Sequence, residues 1–214
     1  QAPSGGGEKH RIYYQPAVGF DQNRKPWVYF GTGDREDPKD WSNTQERFYA
    51  IKDDGSGNYP RKESPDLHDF TGENTFTTDP TKSGWFIKLD KSGQSLEKVL
   101  ARPYVFYRLV YFTTYTNVET SDLCTVEGIG KEYIVYYLTG GGALAVDDLS
   151  DLLGTPSARS KEIGSGAPSS PVISVNMKGK ASVIIGETSG QIFSQGAFSP
   201  STNKAIMYWR EVIP

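Results

Sequence analysis

Three groups of acidic and amide side chains are the candidates for metal ligands in this sequence. A calcium loop of the EF-hand type needs oxygen ligands at alternating positions, a central glycine and a glutamate at position twelve. The stretch DDGSGN has the composition of such a loop but not its spacing. Solvated loop charges are therefore expected, and calcium at the third group is a hypothesis that a calcium titration of the melting temperature tests. The groups are Asp34, Glu36, Asp37 and Asp40; Asp53, Asp54 and Asn58; and Asp147, Asp148 and Asp151.

Residues suited to covalent or acid–base catalysis are scarce. The two histidines are His10, in a glycine-rich opening stretch, and His68, in a polar segment, and both are expected at the surface. No G-x-S-x-G elbow occurs, and GSGAPSSP is typical of a turn leading into a strand. Gly140–Gly142 precede Ala143 rather than the Lys-Ser/Thr of a phosphate-binding loop, so they indicate a hairpin turn. The sequence predicts a non-enzymatic protein with no catalytic, cofactor or metal residues.

Cysteine and tryptophan leave two alternatives open. Cys124 is the single cysteine, which excludes an internal disulfide and a zinc site of paired thiolates. A half-buried thiol is expected, with disulfide exchange to another chain as the alternative. The tryptophans are expected to pack between sheets, with a sugar-stacking surface as the alternative. They are Trp27, Trp41, Trp85 and Trp209, of which Trp41 in PKDWSNTQ is expected to be exposed.

Charge and hydropathy exclude two classes of partner. A formal net charge of -3 offers no basic stripe for phosphates, so nucleic acid is not an expected partner. The longest apolar runs are short, such as Val183–Ile185, whereas a membrane-spanning helix needs about twenty apolar residues. The chain begins at Gln1 without a charged and apolar leader, so we expect any export signal to have been removed.

The order of hydrophobic segments predicts an all-β fold. Thirteen tyrosines, 10 phenylalanines and 23 glycines favour strands and tight turns. After a flexible lead-in at residues 1–11, strand-length apolar runs alternate with turn residues through residues 12–214. At most one short helix is expected, in DDLSDLLG, where Leu149, Leu152 and Leu153 follow helical spacing before Gly154.

A threefold internal repeat predicts the blades of a β-propeller. Proline-led strands begin at Pro16, Pro103 and Pro171, and each precedes a hydrophobic strand that ends in small residues: VYFGTG, VYFTTY and VIIGETSG. An aromatic strand follows each: FYAI, YIVYY and QIF. The prolines lie farther apart than the roughly 40–50 residues of compact propeller repeats. Two polar insertions, Asp53 to Ser83 and Asp147 to Gly166, explain the excess length.

Three such units are too few to close a ring. Propellers have about four to eight blades of four antiparallel strands. About three four-stranded blades with long insertions are expected here, as part of a ring. The open edges require cover from a missing stretch of polypeptide or from another chain, because uncovered strands promote aggregation.

Several segments together resemble one known family. WVYFGTGDREDP and FYAI, then GWFIKLD, VYFTTYTNVETSDLC, YYLTGGGAL, GSGAPSSPVIS, GQIFSQ and YWREVI, follow each other in order. They resemble the C-terminal β-propeller of the PilY/PilC family of type IV pilus tip and biogenesis proteins, over about Tyr13 to Ile213. Family members generally carry a large N-terminal region ahead of this propeller. Some also have a calcium loop of alternating Asp residues, which is not found here.

The resemblance implies an exported protein at the cell surface or on the pilus. Implied roles are pilus assembly or tip display, surface adhesion and twitching motility. Implied partners are pilin or minor pilins, together with the N-terminal portion of the same precursor or another chain that completes the propeller. Two alternatives are a carbohydrate-binding adhesin module and a quinone-dependent dehydrogenase. Propellers with similar blades carry such dehydrogenases, but no constellation of acids for a metal and quinone appears in the sequence.

Overall fold

The fold is known from a computed structural model, which describes residues 10–36, 44–57, 62–92, 95–118, 128–146 and 154–197. These residues form 14 β-strands in three sheets and contain no helix. The prediction of an all-β protein is confirmed for this part of the chain. The short helix predicted in DDLSDLLG falls on residues 147–153, outside the described residues. No helix long and apolar enough to cross a membrane occurs in the described ranges.

The first sheet is an antiparallel meander with one short added strand. Its strands are β1 (Ala17–Phe20), β2 (Pro26–Gly31), β3 (Arg47–Lys52), β4 (His68–Asp69) and β5 (Gly84–Lys88). Strands β1, β2, β3 and β5 are successive antiparallel neighbours, and β4 lies parallel to β5 at the edge. The predicted insertion Asp53 to Ser83 leaves the sheet after β3 and returns at β5. Within its described residues, β4 is the only strand.

The second sheet is built on two long central strands. Its strands are β6 (Lys91–Ser92), β7 (Ser95–Lys98), β8 (Tyr104–Phe106), β9 (Leu109–Asn117), β10 (Gly128–Tyr136) and β11 (Ser160–Ser165). Strands β9 and β10 pair along their full length. The opposite edge of β9 is shared, because β8 pairs with its start and β7 with its end.

Strand β11 corrects the prediction that Asp147 to Gly166 is a loop. The segment SKEIGS pairs with β10 through a bulge at Gly130/Lys131. Its residues are mostly polar and Ile163 is its only large apolar side chain, so local propensity did not indicate a strand. Strand β10 pairs with β9 along one edge, and β11 forms because it pairs with the backbone of the other edge of β10.

The third sheet has three strands, β12 (Val172–Val175), β13 (Ala181–Gly186) and β14 (Ile192–Gly196), in sequence order and antiparallel. The prediction of four-stranded sheets is wrong, since the three sheets have five, six and three strands, but the predicted order of strands recurs in each. Pro16, Pro103 and Pro171 each precede the first strand of a three-strand meander, β1–β2–β3, β8–β9–β10 and β12–β13–β14. The described residues do not close into a ring, so the assignment as propeller blades stays a prediction.

The three sheets stack face to face in chain order. One face of the second sheet, including Val110 and Phe112, packs on Phe48 of the first sheet. Its other face, including Tyr111, packs on Val183 and Ile185 of the third sheet. Consecutive residues of β9 therefore belong to different cores, which is why almost every residue of this strand is buried.

The outer face of the first sheet is covered by the chain's own insertion. Phe30, Tyr49 and Phe86 on this face form a separate core with Leu67, which lies just before β4. Leu67 is 4% exposed. The stack thus has one closed end, formed by the segment that the sequence indicated only as a polar insertion.

Candidate functional site

At the other end of the stack, no other described part of the chain covers the sheet face. Val183 and Ile185 of β13 belong to the core shared with the second sheet, and Ala181 is buried on the same side of the strand. The alternate residues of β13 therefore point away from this core. Strand pairing places partners on β12 and β14 beside them on the same side. This open face consists of Val172, Ser174, Ser182, Ile184, Gly186, Ile192, Ser194 and Gly196.

The open face carries no charged side chain. Val172 is 58% exposed and Ile192 is 75% exposed, and Ile184 lies between their strands at 37%. The remaining positions are serine or glycine. A sheet face that meets water normally alternates apolar-in with polar-out and is rich in charged residues. A flat surface of aliphatic and small residues is instead typical of a contact with another layer of protein.

A cavity of about 1250 Å³ opens beside the stack, where turns from all three sheets meet. Arg35 follows β2, Tyr115 lies near the end of β9 and Val118 follows it, and Glu187 follows β13. These positions lie at or just after the end of the second strand of each repeat, where the segments VYFGTG, VYFTTY and VIIGETSG end in small residues. The stacking thus brings together three segments that are far apart in the chain.

Glu187 is the buried acid in the wall of this cavity. It is 9% exposed, and its Oε2 accepts a hydrogen bond of 3.1 Å from Ser189 Oγ, while Oε1 has no hydrogen-bond partner among the described residues. The carboxylate lies within 2.6 Å of where a Cβ at Gly164 would be, and 3.2 Å from one at Gly130. Glycine at these two positions therefore makes room for the acid.

The rest of the lining is rich in hydroxyl groups and fixed by hydrogen bonds. Thr188 Oγ1 accepts from the backbone of Ala167, and Ser170 Oγ accepts from the backbone of Arg102. Further lining residues with a hydroxyl are Tyr14, Tyr115, Ser165, Ser169 and Ser189. Aromatic rings beside hydroxyls are a chemistry suited to an uncharged polyhydroxylated ligand.

His10 departs from the prediction of a surface histidine in a lead-in. It is 4% exposed, its Nδ1 lies 3.1 Å from Glu46 Oε2, and Arg47 donates to its Nε2 at 2.6 Å. Arg47 also forms an ion pair of 2.7 Å with Glu63. Burial of these charged side chains is possible because they pair with one another. The stretch GGGEKHR around His10 has no apolar residue, so the sequence did not indicate that His10 is buried. The prediction that His10 lies at the surface is therefore wrong.

Glu132 is a buried carboxylate between the second and third sheets. Its side chain is fully buried, and Lys161 Nζ lies 3.9 Å from Oε2. Burial raises the pKa of Glu132 to about 7, against the opposing charge of Lys161. The Lys161 ammonium donates to Gln195 on β14, so this polar group spans the two sheets.

His68 lies half-buried in a polar groove of about 810 Å³. Its ring stacks on Phe70 with centroids 4.0 Å apart, and its nitrogens lie 3.2 Å from Glu73 and 3.5 Å from Asp79. Among the residues that the structure describes, no group of three or more His, Cys, Asp or Glu side chains is arranged to hold a metal ion.

The acidic residues of the predicted groups differ in burial and in hydrogen bonding. Asp53 and Asp54 accept hydrogen bonds of 2.8 Å from the backbone of Gly55 and Ser56, as in ordinary acidic turns. Asp34 is not a solvated loop charge, because it is 7% exposed and paired with Arg11. Glu36 is exposed, as predicted, and accepts a hydrogen bond of 3.3 Å from the Tyr13 hydroxyl. The other six members lie outside the described residues: Asp37, Asp40, Asn58, Asp147, Asp148 and Asp151.

The other candidates are placed as follows. Trp27 and Trp85 are buried in the core between the first two sheets, as predicted. Gly140–Gly142 form a hairpin turn, also as predicted, since Gly142 makes an antiparallel bridge to Val135. Cys124, Trp41 and Trp209 lie outside the described residues.

Comparison with known proteins gave no relative. No protein-family model, curated protein or solved structure matched this chain.

Proposed function

We propose that this chain is a non-enzymatic, exported interaction module of type IV pili, built as consecutive blades of a β-propeller. The observation that carries the proposal is the stack of three proline-led meanders with one closed end and one uncharged open end. Antiparallel meanders packed face to face in chain order are the arrangement that propeller blades have. An uncharged end of the stack is suited to assembly with further protein.

The association with pili is supported by the ordered PilY/PilC-like segments. WVYFG and FYAI are the central strands β2 and β3 of the first meander, and GWFIK is β5. VYFTTYTN and the strand before YYLTGGG are β9 and β10 of the second meander, and QIFSQG contains β14. Most of the segments that carry the resemblance thus contain strands of the fold, and YWREVI lies outside the described residues. On this proposal, pilin or minor pilins are partners and the protein acts at the cell surface.

The proposal is tested on pili sheared from cells of the source organism. The chain is expected in the sheared fraction of cells that make the major pilin, and to be lost from that fraction in cells that lack it. Deleting the gene is expected to reduce surface pili and twitching motility. Equal release of the chain from cells with and without pilin would refute the association.

A carbohydrate-binding role is the second candidate, and the inter-sheet cavity favours it. Tyr14 and Tyr115 offer ring surfaces, and the serine and threonine side chains offer hydrogen bonds to sugar hydroxyls. A glycan array with the purified chain tests this role, with a Tyr115→Ala variant as the matched comparison. Binding that Tyr115→Ala abolishes would support the cavity as the site, and silence on the array together with unchanged tyrosine fluorescence would exclude it.

A further inference from the structure

We infer that the cavity beside the stack binds a sugar that carries a free ammonium group, and that Glu187 is the residue that selects the ammonium. This inference rests on the carbohydrate-binding role given above as the second candidate, and it names the ligand class for that role. It is independent of pilus association, because it concerns a cavity formed by the described residues of this chain.

The carboxylate of Glu187 lacks a cation. Glu187 is buried and lines the cavity. Ser189 Oγ donates to its Oε2 at 3.1 Å, and Oε1 accepts no hydrogen bond from the described residues. Burial of a carboxylate is costly unless an opposite charge pairs with it. A ligand with a positive charge is therefore the partner that suits this wall of the cavity.

Arg35 does not supply the missing charge. It is the only basic residue in the described lining, and its guanidinium lies over the ring of Tyr14, 5.3 Å from the centroid. No ion pair joins it to Glu187 within the described part of the chain. The segment around Glu187 has small uncharged residues instead, namely Gly186, Thr188 and Ser189.

The position of the carboxylate is fixed by its neighbours. A Cβ at Gly164 would lie within 2.6 Å of it, so glycine is needed there for the carboxylate to fit. Ser189 has one hydroxyl proton, which it donates to Glu187. The Ser189 oxygen accepts a long bond of 3.5 Å from the backbone of Gln191 and keeps a further lone pair. An ammonium beside the carboxylate can donate to this oxygen as well.

The rest of the lining fits a sugar better than a lysine side chain. The volume of about 1250 Å³ is above the roughly 300–1,000 Å³ of most ligand pockets, so one lysine side chain would leave most of it empty. Tyr14 and Tyr115 offer rings for the apolar faces of sugar units. The hydroxyls of Thr188 and Ser170 accept from backbone N–H groups, so their protons remain for ligand oxygens.

The test compares two sugars that differ in one charge. Titration calorimetry measures the binding of a glucosamine trimer and of an N-acetylglucosamine trimer to the purified chain. N-acetylation removes the ammonium and keeps the sugar rings. We expect the glucosamine trimer to bind about tenfold more tightly or better, since a hydrogen bond to a charged group is lost in the other sugar.

The variant Glu187→Gln removes the charge and keeps the size of the side chain. We expect it to bind the glucosamine trimer about tenfold more weakly or worse, and to bind the acetylated trimer as before. Glu162→Gln, at an exposed acid of β11, is the matched control and should keep the preference of the unmodified chain. The melting temperature of each variant checks that it folds.

The other outcomes overturn the inference in distinguishable ways. Equal binding of both trimers, or a Glu187→Gln variant that keeps the preference, would refute the role of Glu187 and leave the carbohydrate role standing. Tighter binding of a Gly-Lys-Gly peptide than of the glucosamine trimer would make the ligand a protein amine. No binding of either trimer by the folded chain would refute the inference, whatever the glycan array and the shearing experiment show.

Discussion

The ring of Phe48 in the first sheet lies against the ring of Phe112 in the second, with centroids 3.8 Å apart and planes 10° from parallel. Phe112 also stacks on Tyr133 of the neighbouring strand at 4.6 Å. Both phenylalanines are fully buried. The contact between the first two sheets is thus centred on one aromatic stack.

Phe112→Ala is expected to lower the free energy of unfolding by about 3–5 kcal/mol, the usual cost of emptying a buried aromatic site. Urea denaturation monitored by circular dichroism measures it. Phe20→Ala is the control, because Phe20 is 65% exposed and its change should stay within about 0.5 kcal/mol. Similar losses for both variants would contradict the central role of the stack.

His10→Ala is expected to destabilise the protein by about 1–3 kcal/mol, since it leaves the buried Glu46 and Arg47 without a shared partner. Thermal denaturation measures the effect. A chain that lacks residues 1–9 is the comparison, because the sequence predicts a flexible lead-in there. Its melting temperature should equal that of the full chain. If the His10→Ala variant also has the melting temperature of the full chain, the contacts of His10 with Glu46 and Arg47 do not stabilise the fold.

Glu132→Gln is expected to remove a pH dependence of stability. The pKa of Glu132 is raised in the folded state from 4.5 to about 7, so the folded protein holds a proton that the unfolded chain releases between these values. The stability of the unmodified protein therefore falls as pH rises from about 4.5 to 7. The variant should lack this decline and be more stable at pH 8 by about 1–3 kcal/mol. Melting temperatures across pH 4 to 8 measure this.

Glu162→Gln is the matched control for Glu132→Gln. Glu162 is an exposed acid on β11, and its cross-strand partner is Lys131, the residue before Glu132. The control should keep the pH dependence of the unmodified protein. A Glu132→Gln variant that keeps the same slope would show that another group causes it.

Three glycine-to-alanine changes separate backbone strain from steric contact. Gly140 has φ of +70° and a Cβ there would lie 2.7 Å from the ring of Trp85. Gly179 has φ of +79° but open space around it, and Gly72 has neither restriction. We expect Gly72→Ala to be neutral, Gly179→Ala to cost about 1–2 kcal/mol, and Gly140→Ala to cost more than that. Chemical denaturation measures the order, and equal losses at Gly140 and Gly179 would contradict the contact with Trp85.

The candidate site was only partly predictable. The small residues that end the second strand of each repeat marked the turns that line the cavity, and GETSG contains Glu187. That these turns converge depends on how the sheets stack, and the turns are separated by long stretches of chain. The burial of His10 was missed for a related reason, because its neighbours in space, Glu46 and Arg47, are more than 30 residues away in sequence.

By itself, the sequence determined the local pattern: proline before the first strand of each repeat, an apolar second strand, an aromatic third strand, and glycine turns. These features depend on neighbouring residues, so they can be read in order along the chain. Only the tertiary structure decided which face of each strand meets which sheet. In β9 every residue from Leu109 to Phe112 is apolar, and a continuous apolar run has no period of two that distinguishes its faces. The assignment of Val110 to one core and Tyr111 to the other therefore exists only once three sheets are stacked.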